Sequence, residues 1–359
     1  MPLFKIANGI NQLGFRKTFN VVINKFEDAR KASRLVSFPT TVSIEITSAC
    51  PLECVHCPRS HRTNNKTEMA IGHLSVSNFV NILDKLSLVK KITLQGLGEP
   101  LLHPHVFQMV KEAQSRQFIV GFSTSASYYN QAIEKGMSES PPDFLGFSVD
   151  SVEKQSLEEI RKNHRIERFI DIATNLIRAV RRSGKNTKLL VQCCLMKTNI
   201  HHLDTVIEFA KEMRIDSLSF SELNFSYLGS VQKKLALSSE DYIHIEKALD
   251  RAKSEGINAT YIPVTGIKKP GTVVCSYLWR EPYITWDGSV TTCCGRPFSS
   301  LHNVGNILTV DSFMEIWNGK EMQRLRTEIR NEEVPFPCNG CPLAEETPTP
   351  FAQIGSSTT

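Results

Sequence analysis

The chain has 359 residues, 41% of them hydrophobic and 22% charged, with a formal net charge of +5. That composition is ordinary for a soluble globular protein, and no Lys/Arg block runs long enough for a dedicated nucleic-acid surface. No stretch reaches the apolar length of a membrane span, and ten cysteines gathered into groups read, in a reducing cytoplasm, as metal or cofactor ligands rather than disulfides.

The first 25 residues contain no Asp or Glu and carry Lys5, Arg16, Lys17 and Lys25 among Phe4, Ile10, Leu13, Phe15, Phe19 and Val22. No continuous apolar core makes this a secretory signal. A basic amphipathic helix can lie on a membrane or act as a transit peptide; the expectation for residues 1–39 is a lead-in helix packed on a catalytic domain.

From residue 41 onward, short apolar runs rich in β-branched residues alternate with helical patterns. Strands are predicted over Thr41–Thr47, Lys91–Gln95, Phe118–Ser123, Asp143–Val149, Lys188–Met196 and Asp216–Ser221. Helices are predicted over Val76–Leu88, Val106–Ser115, Ile166–Arg182 and His202–Met213. This alternation implies parallel βαβ units, too few for a full eight-fold barrel. The expected fold is α/β, a partial (β/α)6 TIM-like barrel over residues 40–235 with a small C-terminal domain. Residues 236–270 form a bridging segment, in which 236–262 read as a helix and a short strand. Beyond Gly271, over residues 271–345, Pro, Gly and Cys rise and the βα rhythm stops. Asp287-Gly288 reads as a hairpin turn between Pro282–Trp286 and Ser289–Cys293, and Ser312–Glu328 as a helix. The tail, residues 346–359, has a disordered composition.

The chemistry sits in the cysteines. Cys50, Cys54 and Cys57 have the spacing C-x3-C-x2-C and begin where the first strand ends, at the functional rim of a βα barrel. Three thiolates from one short loop can hold three irons of a cubane and leave the fourth open to an external ligand. Zinc is the competing reading, with His56 as fourth ligand, but so tight a run strains a tetrahedron. Cys193 and Cys194 lie mid-strand, where neighbours point to opposite faces; they read as small buried hydrophobes.

The C-x3-C-x2-C loop after the first strand resembles the signature of the radical S-adenosylmethionine (SAM) superfamily. The resemblance implies that the methionyl group of SAM chelates the open iron. An electron from the reduced cluster then cleaves the sulfonium to a deoxyadenosyl radical, which abstracts hydrogen from a substrate. It implies adenine contact for His56, where the family usually has an aromatic residue. It also implies methionyl binding by Gly96, Gly98 and Glu99 in Gln95-Gly-Leu-Gly-Glu-Pro100, with Leu97 departing from the family's paired glycines. Ser148, Asp150, Arg161 and Asn199 are candidates near the ribose or carboxylate; capping at a strand–helix junction is the alternative for the first two. The Thr-Asn-Gly common after the third strand is replaced by Thr124-Ser125-Ala126.

Cys275, Gly288-x4-Cys293 and Cys338-x2-Cys341 resemble the half-length SPASM, or twitch, domain of the same superfamily, with Val304-Gly-Asn-Ile and Glu315-Ile-Trp317 as further common features. Cys294 is left over. The resemblance implies a second, fully ligated [4Fe–4S] cluster for electron transfer; a rubredoxin-like zinc site is the alternative. The expected protein is a cytoplasmic radical SAM oxidoreductase with two [4Fe–4S] clusters and SAM, served by a flavodoxin- or ferredoxin-type donor. Its expected substrate is a small polar molecule such as a sugar or aminocyclitol. A peptide-modifying maturase and a non-catalytic iron–sulfur carrier are the alternatives.

Overall fold

The computed structural model of the chain describes residues 3–61, 71–223, 234–262, 275–338 and 341, with side chains from Gly14 onward and excluding that of His61. The expected disordered tail, residues 346–359, lies outside the described residues. In chain order the strands are β1 (Thr41–Ile44), β2 (Glu53–Cys54), β3 (Lys91–Leu94), β4 (Ile119–Thr124), β5 (Phe144–Ser148), β6 (Arg161–Lys162), β7 (Lys188–Leu195), β8 (Ser217–Glu222), β9 (Ala259–Ile262), β10 (Tyr283–Ile284), β11 (Ser289–Thr291) and β12 (Gly305–Asn306). The six strands expected from the apolar runs are β1, β3, β4, β5, β7 and β8. β1 stops at Ile44 rather than Thr47 because the chain leaves the β3 ladder there, and Thr47 bridges to His73 instead.

The chain forms two compact units. The first draws on residues 1–49, 66–122 and 275–338, the second on residues 50–65, 123–274 and 339–359. In the first, β1 lies parallel between β3 and β10, β3 pairs parallel with β4, and β10, β11 and β12 are antiparallel. The expected hairpin at Asp287-Gly288 is β10–β11, and it is joined to the parallel strands through the register Ser43↔Tyr283 and Ile44↔Ile284. Val42, Ile44, Ile92, Leu94, Phe79, Met109, Trp279, Phe313 and Trp317 are all buried in this unit. The helix expected over Ser312–Glu328 is two helices, Phe313–Trp317 and Lys320–Arg330, since extended Gly319 interrupts it and caps the second. A capping box of Ser312 and Glu315 starts the first.

In the second unit β5, β7, β8 and β9 are parallel throughout. β9, from the stretch expected to bridge, extends this sheet. Along β7, Leu189, Val191, Cys193 and Leu195 are buried and the alternate positions are more open, the period-two signature of one covered face. Helix Ile166–Arg182 buries Phe169, Ile172, Ala173, Leu176, Ile177 and Val180, a 3–4 spacing. Glu167 in its first turn and Arg181 and Arg182 in its last complement the helix dipole.

Candidate active site

The loop Cys50–Cys57 belongs to the second unit and is fastened there by its backbone. β2 pairs antiparallel with β6, in the register Cys54↔Arg161 and Glu53↔Lys162. The Val55 N–H donates to Ile160 O at 2.9 Å and the Cys57 N–H to Cys54 O at 3.1 Å. Arg59 Nη1 donates to Leu52 O at 3.2 Å. None of the three forms a disulfide; Cys54 is buried, Cys50 and Cys57 half-buried. Burial pushes the Cys54 thiol up to about 12 and the Cys57 thiol upward too, with the Arg161 charge working against the rise. Metal coordination reverses that balance, because a bound thiol is deprotonated.

Asp150, just past the end of β5, gathers several of the expected residues. Its Oδ2 pairs with Arg161 Nη2 at 2.8 Å and lies 3.8 Å from His56 Nε2. Its Oδ1 accepts from the Cys194 N–H at 3.0 Å. Both side chains of the Arg161–Asp150 pair are buried, so each charge is compensated chiefly by the other. Arg161 Nε is also buried, yet makes no hydrogen bond within the described residues. A buried guanidinium with a donor to spare suits a ligand carboxylate. Ser148 is half-buried at the last position of β5, opposite Gln192 of β7.

Asn199, expected near the cofactor, is fully buried and its amide is committed to backbone. Nδ2 donates to Asp150 O and Cys194 O, each at 2.8 Å, and Oδ1 accepts from the Met196 N–H at 2.8 Å. Both amide hydrogens are used, so Asn199 positions the Asp150 turn instead of facing a ligand. Cys193 and Cys194 stay protonated, their thiols pushed up by burial.

In the first unit the Gln95–Pro100 loop wraps the end of β1. A Cβ on Gly98 would stand 2.2 Å from Thr47 O and 2.7 Å from Ala49 O, and one on Gly96 2.4 Å from the Glu45 side chain. Only glycine lets the two backbones approach so closely. The Glu99 N–H donates to Ala49 O at 2.7 Å, and its buried carboxylate accepts from the Leu101 N–H at 3.2 Å. This grip fixes the residue immediately before Cys50. Gly98→Ala should therefore lower the unfolding free energy, read from the urea midpoint and slope, by the ~1–3 kcal/mol of an overpacked site and, by displacing the loop, cut deoxyadenosine formation roughly a hundred-fold. An alanine variant with unchanged midpoint and activity would show that the loop yields freely.

Glu45 was missed by sequence reasoning, although a carboxylate inside the apolar run Val42–Ile46 was signal enough. It is buried; Oε1 accepts from the Leu97 N–H at 2.9 Å and Oε2 from the Trp286 N–H at 3.5 Å. It ties the glycine loop and the β10–β11 hairpin to β1, and burial raises its pKa.

Among the C-terminal cysteines, Cys275, Cys293 and Cys338 lie in the first unit, whereas Cys341 is grouped with the second. The Cys275 carbonyl accepts from Lys31 Nζ at 3.0 Å. The Arg296 N–H donates to Cys293 O at 2.9 Å, and Arg296 Nε donates to Pro337 O at 2.6 Å, which links the Cys293 turn to the segment carrying Cys338. The neighbouring thiols of Cys294, Cys293 and Cys275 push the Tyr277 hydroxyl pKa upward. The Cys294 thiol is buried, which pushes it up to about 12.

Among the described residues no three Cys, His, Asp or Glu side chains converge closely enough to surround one metal ion. A closed zinc site needs that convergence; a cubane does not, since each thiolate meets a different iron. Three thiols on a fastened loop, none in a disulfide, beside a buried cation with a spare donor fit an open-iron cluster and an anionic cofactor group.

Residues 44–210 match the radical SAM superfamily, and residues 275–342 match the SPASM iron–sulfur cluster-binding domain. The chain belongs to the radical SAM superfamily, with a SPASM-type C-terminal segment; its cofactors are SAM and [4Fe–4S] clusters, as the sequence led one to expect. It is 24% identical to the tungsten-containing aldehyde ferredoxin oxidoreductase cofactor-modifying protein of Pyrococcus furiosus, over 84% of this chain and 87% of that one. It is 21% identical to the PqqA peptide cyclase of Gluconobacter oxydans, over 87% of this chain and 85% of the other. Among solved structures it is similar to Streptococcus suis SuiB bound to SAM, with a TM-score of 0.67 and 16% identity, over 91% of this chain and 76% of SuiB. SuiB bound to its precursor peptide SuiA gives the same TM-score. The likeness shows the fold, a mostly parallel α/β sheet of the partial-barrel type. No helix among the described residues is long and apolar enough to cross a membrane.

Proposed function

We propose that the chain is a radical SAM maturase that modifies a peptide. The observation that carries this is that relatives matching it across both modules, not only the SAM core, include a peptide cyclase and, in fold, an enzyme seen with its precursor peptide. These relatives support the maturase alternative better than the small-molecule expectation. Modification of a cofactor is the second reading, favoured by the Pyrococcus furiosus relative.

On this reading Cys50, Cys54 and Cys57 hold the catalytic cluster, and Cys275, Cys293, Cys338 and Cys341 the auxiliary one. When bound, the catalytic cluster and SAM supply hydrogen-atom abstraction by a carbon radical. The Gly96–Glu99 loop receives the methionyl amino group, Arg161 and Ser148 face the carboxylate or ribose, and His56 flanks the adenine. Asp150 and Asn199 keep Arg161 and the cysteine loop in place. A flavodoxin- or ferredoxin-type protein delivers the electron.

The test is isotopic. The anaerobically reconstituted protein is given SAM, a reductant and either deuterated peptides encoded beside its gene or a deuterated aminocyclitol. Deuterium in deoxyadenosine and a mass change in a peptide are expected. Deuterium drawn only from the aminocyclitol would reverse the assignment.

A further inference from the structure

From Gly14 on, the helix Leu3–Ala29 packs within the first unit with its polar side inward. From Gly14 on, where its backbone kinks, the buried residues are Lys17, Thr18, Asn20, Asn24, Glu27 and Asp28. Most of these have partners across the contact. Lys17 Nζ donates to the carbonyls of Arg116 and Gln117, each at 3.0 Å, and lies 3.7 Å above the Phe118 ring. Asn20 exchanges hydrogen bonds with the Phe38 backbone at 2.8 and 3.1 Å, and Asn24 Nδ2 donates to Trp279 O at 2.7 Å. Glu27 accepts from the Val36 N–H at 2.7 Å. Asp28 pairs with Lys31 at 2.8 Å and Arg280 at 2.5 Å. Partners of this kind make a polar face tolerable in a buried contact.

What remains outside is apolar. Phe15, Phe19 and Phe26 are 66%, 54% and 55% exposed. At the helical repeat they fall within about 40° of one line. Phe15 and Phe19 stack with ring centroids 5.9 Å apart. Arg16 and Lys25 are exposed on either side of this line, and the Arg30 guanidinium lies 3.9 Å over the Phe26 ring. Both acidic residues of the segment, Glu27 and Asp28, are turned inward, so from Gly14 on the exposed charges are all cationic. Single exposed apolar residues need no explanation, but a line of three phenylalanines flanked by cations does.

We propose that this face seats the enzyme on an anionic membrane surface, the helix lying in the interface rather than crossing it. Phenylalanine rings enter the headgroup boundary while Arg16, Lys25 and Arg30 reach out to anionic headgroups along their flexible stems. A second copy of the chain fits less well, because a two-fold contact would bring the same three cations against one another.

The test uses the full-length reconstituted protein and sedimentation with two kinds of vesicle, phosphatidylcholine alone and phosphatidylcholine mixed with phosphatidylglycerol. Binding is expected only to the mixed vesicles and should weaken with salt. Arg16→Gln/Lys25→Gln should weaken it roughly twenty-five-fold, about five-fold per charge. Phe15→Ser/Phe19→Ser/Phe26→Ser should weaken it more than about ten-fold. Deoxyadenosine formation in solution should be unchanged in both variants and certifies their folding; if the Phe variant does not fold, the charge variant alone decides. Failure of the wild type to bind the mixed vesicles, or undiminished binding by the folded variants, overturns the proposal. So does a dimer in ultracentrifugation that the Phe variant dissociates, since the face would then belong to a second copy.

Discussion

Replacing Cys50, Cys54 and Cys57 together by Ala is expected to lower deoxyadenosine formation below detection and to remove about four irons per chain, the content of one cubane. The remaining iron should show the spectrum of a single fully ligated cluster. The reason is local: the three thiols share one loop, held by the β2–β6 pairing and the Val55 hydrogen bond to Ile160, neither of which uses a cysteine side chain. The loop should therefore keep its path without the sulfurs, and Cys275, Cys293 and Cys338 belong to the other unit. The checks are iron and sulfide analysis, electron paramagnetic resonance of the reduced protein and chromatography of the SAM products. Deoxyadenosine at the wild-type rate in the triple variant would remove these cysteines from the chemistry. Loss of all iron would show that the second cluster depends on the first.

Asp150→Ala is expected to cost about 3–5 kcal/mol of stability, the usual penalty for leaving one member of a buried ion pair alone. Asp150 has 1% and Arg161 8% of its side chain exposed, so water cannot take over the missing carboxylate. The same substitution strips the cap from the Cys194 N–H. Asp150→Ala/Arg161→Met removes both charges and should recover most of the loss, while abolishing whatever ligand contact Arg161 makes. The measurement is the urea midpoint of each variant with its denaturant slope. If the double variant is as unstable as the single one, the damage comes from the lost backbone cap and not from the stranded cation.

Much of this was legible in the chain itself, for reasons of distance and period. Cys50, Cys54 and Cys57 fall within eight consecutive positions, so the backbone alone keeps them neighbours whatever the fold. The runs at β1, β3, β4, β5, β7 and β8 are short, apolar and spaced by amphipathic stretches, and that rhythm is the physical requirement of a covered parallel sheet. Helix Ile166–Arg182 was found at both ends because its apolar spacing and terminal charges agree. The break at Gly319 was missed although the sequence signalled it: the apolar phase of Phe313, Ile316 and Trp317 does not continue into Lys320 and Glu321 but restarts at Met322, Leu325 and Ile329. Other features depend on partners that no local pattern displays. Arg161 meets Cys54 across β6 and β2 and pairs with Asp150, while Asn199 reaches back to Asp150 O; only folding makes them neighbours. The β10–β11 hairpin could be read as a hairpin, but not that it would join β1, because an edge accepts any strand with free backbone groups. The first helix is the clearest division. Its sequence shows that it is basic and amphipathic, and periodicity assigns the apolar side to the core. The tertiary structure decided the opposite, because the carbonyls of Arg116, Gln117, Phe38 and Trp279 and the amide of Val36 satisfy the polar side, and a polar group can be buried wherever such partners wait for it.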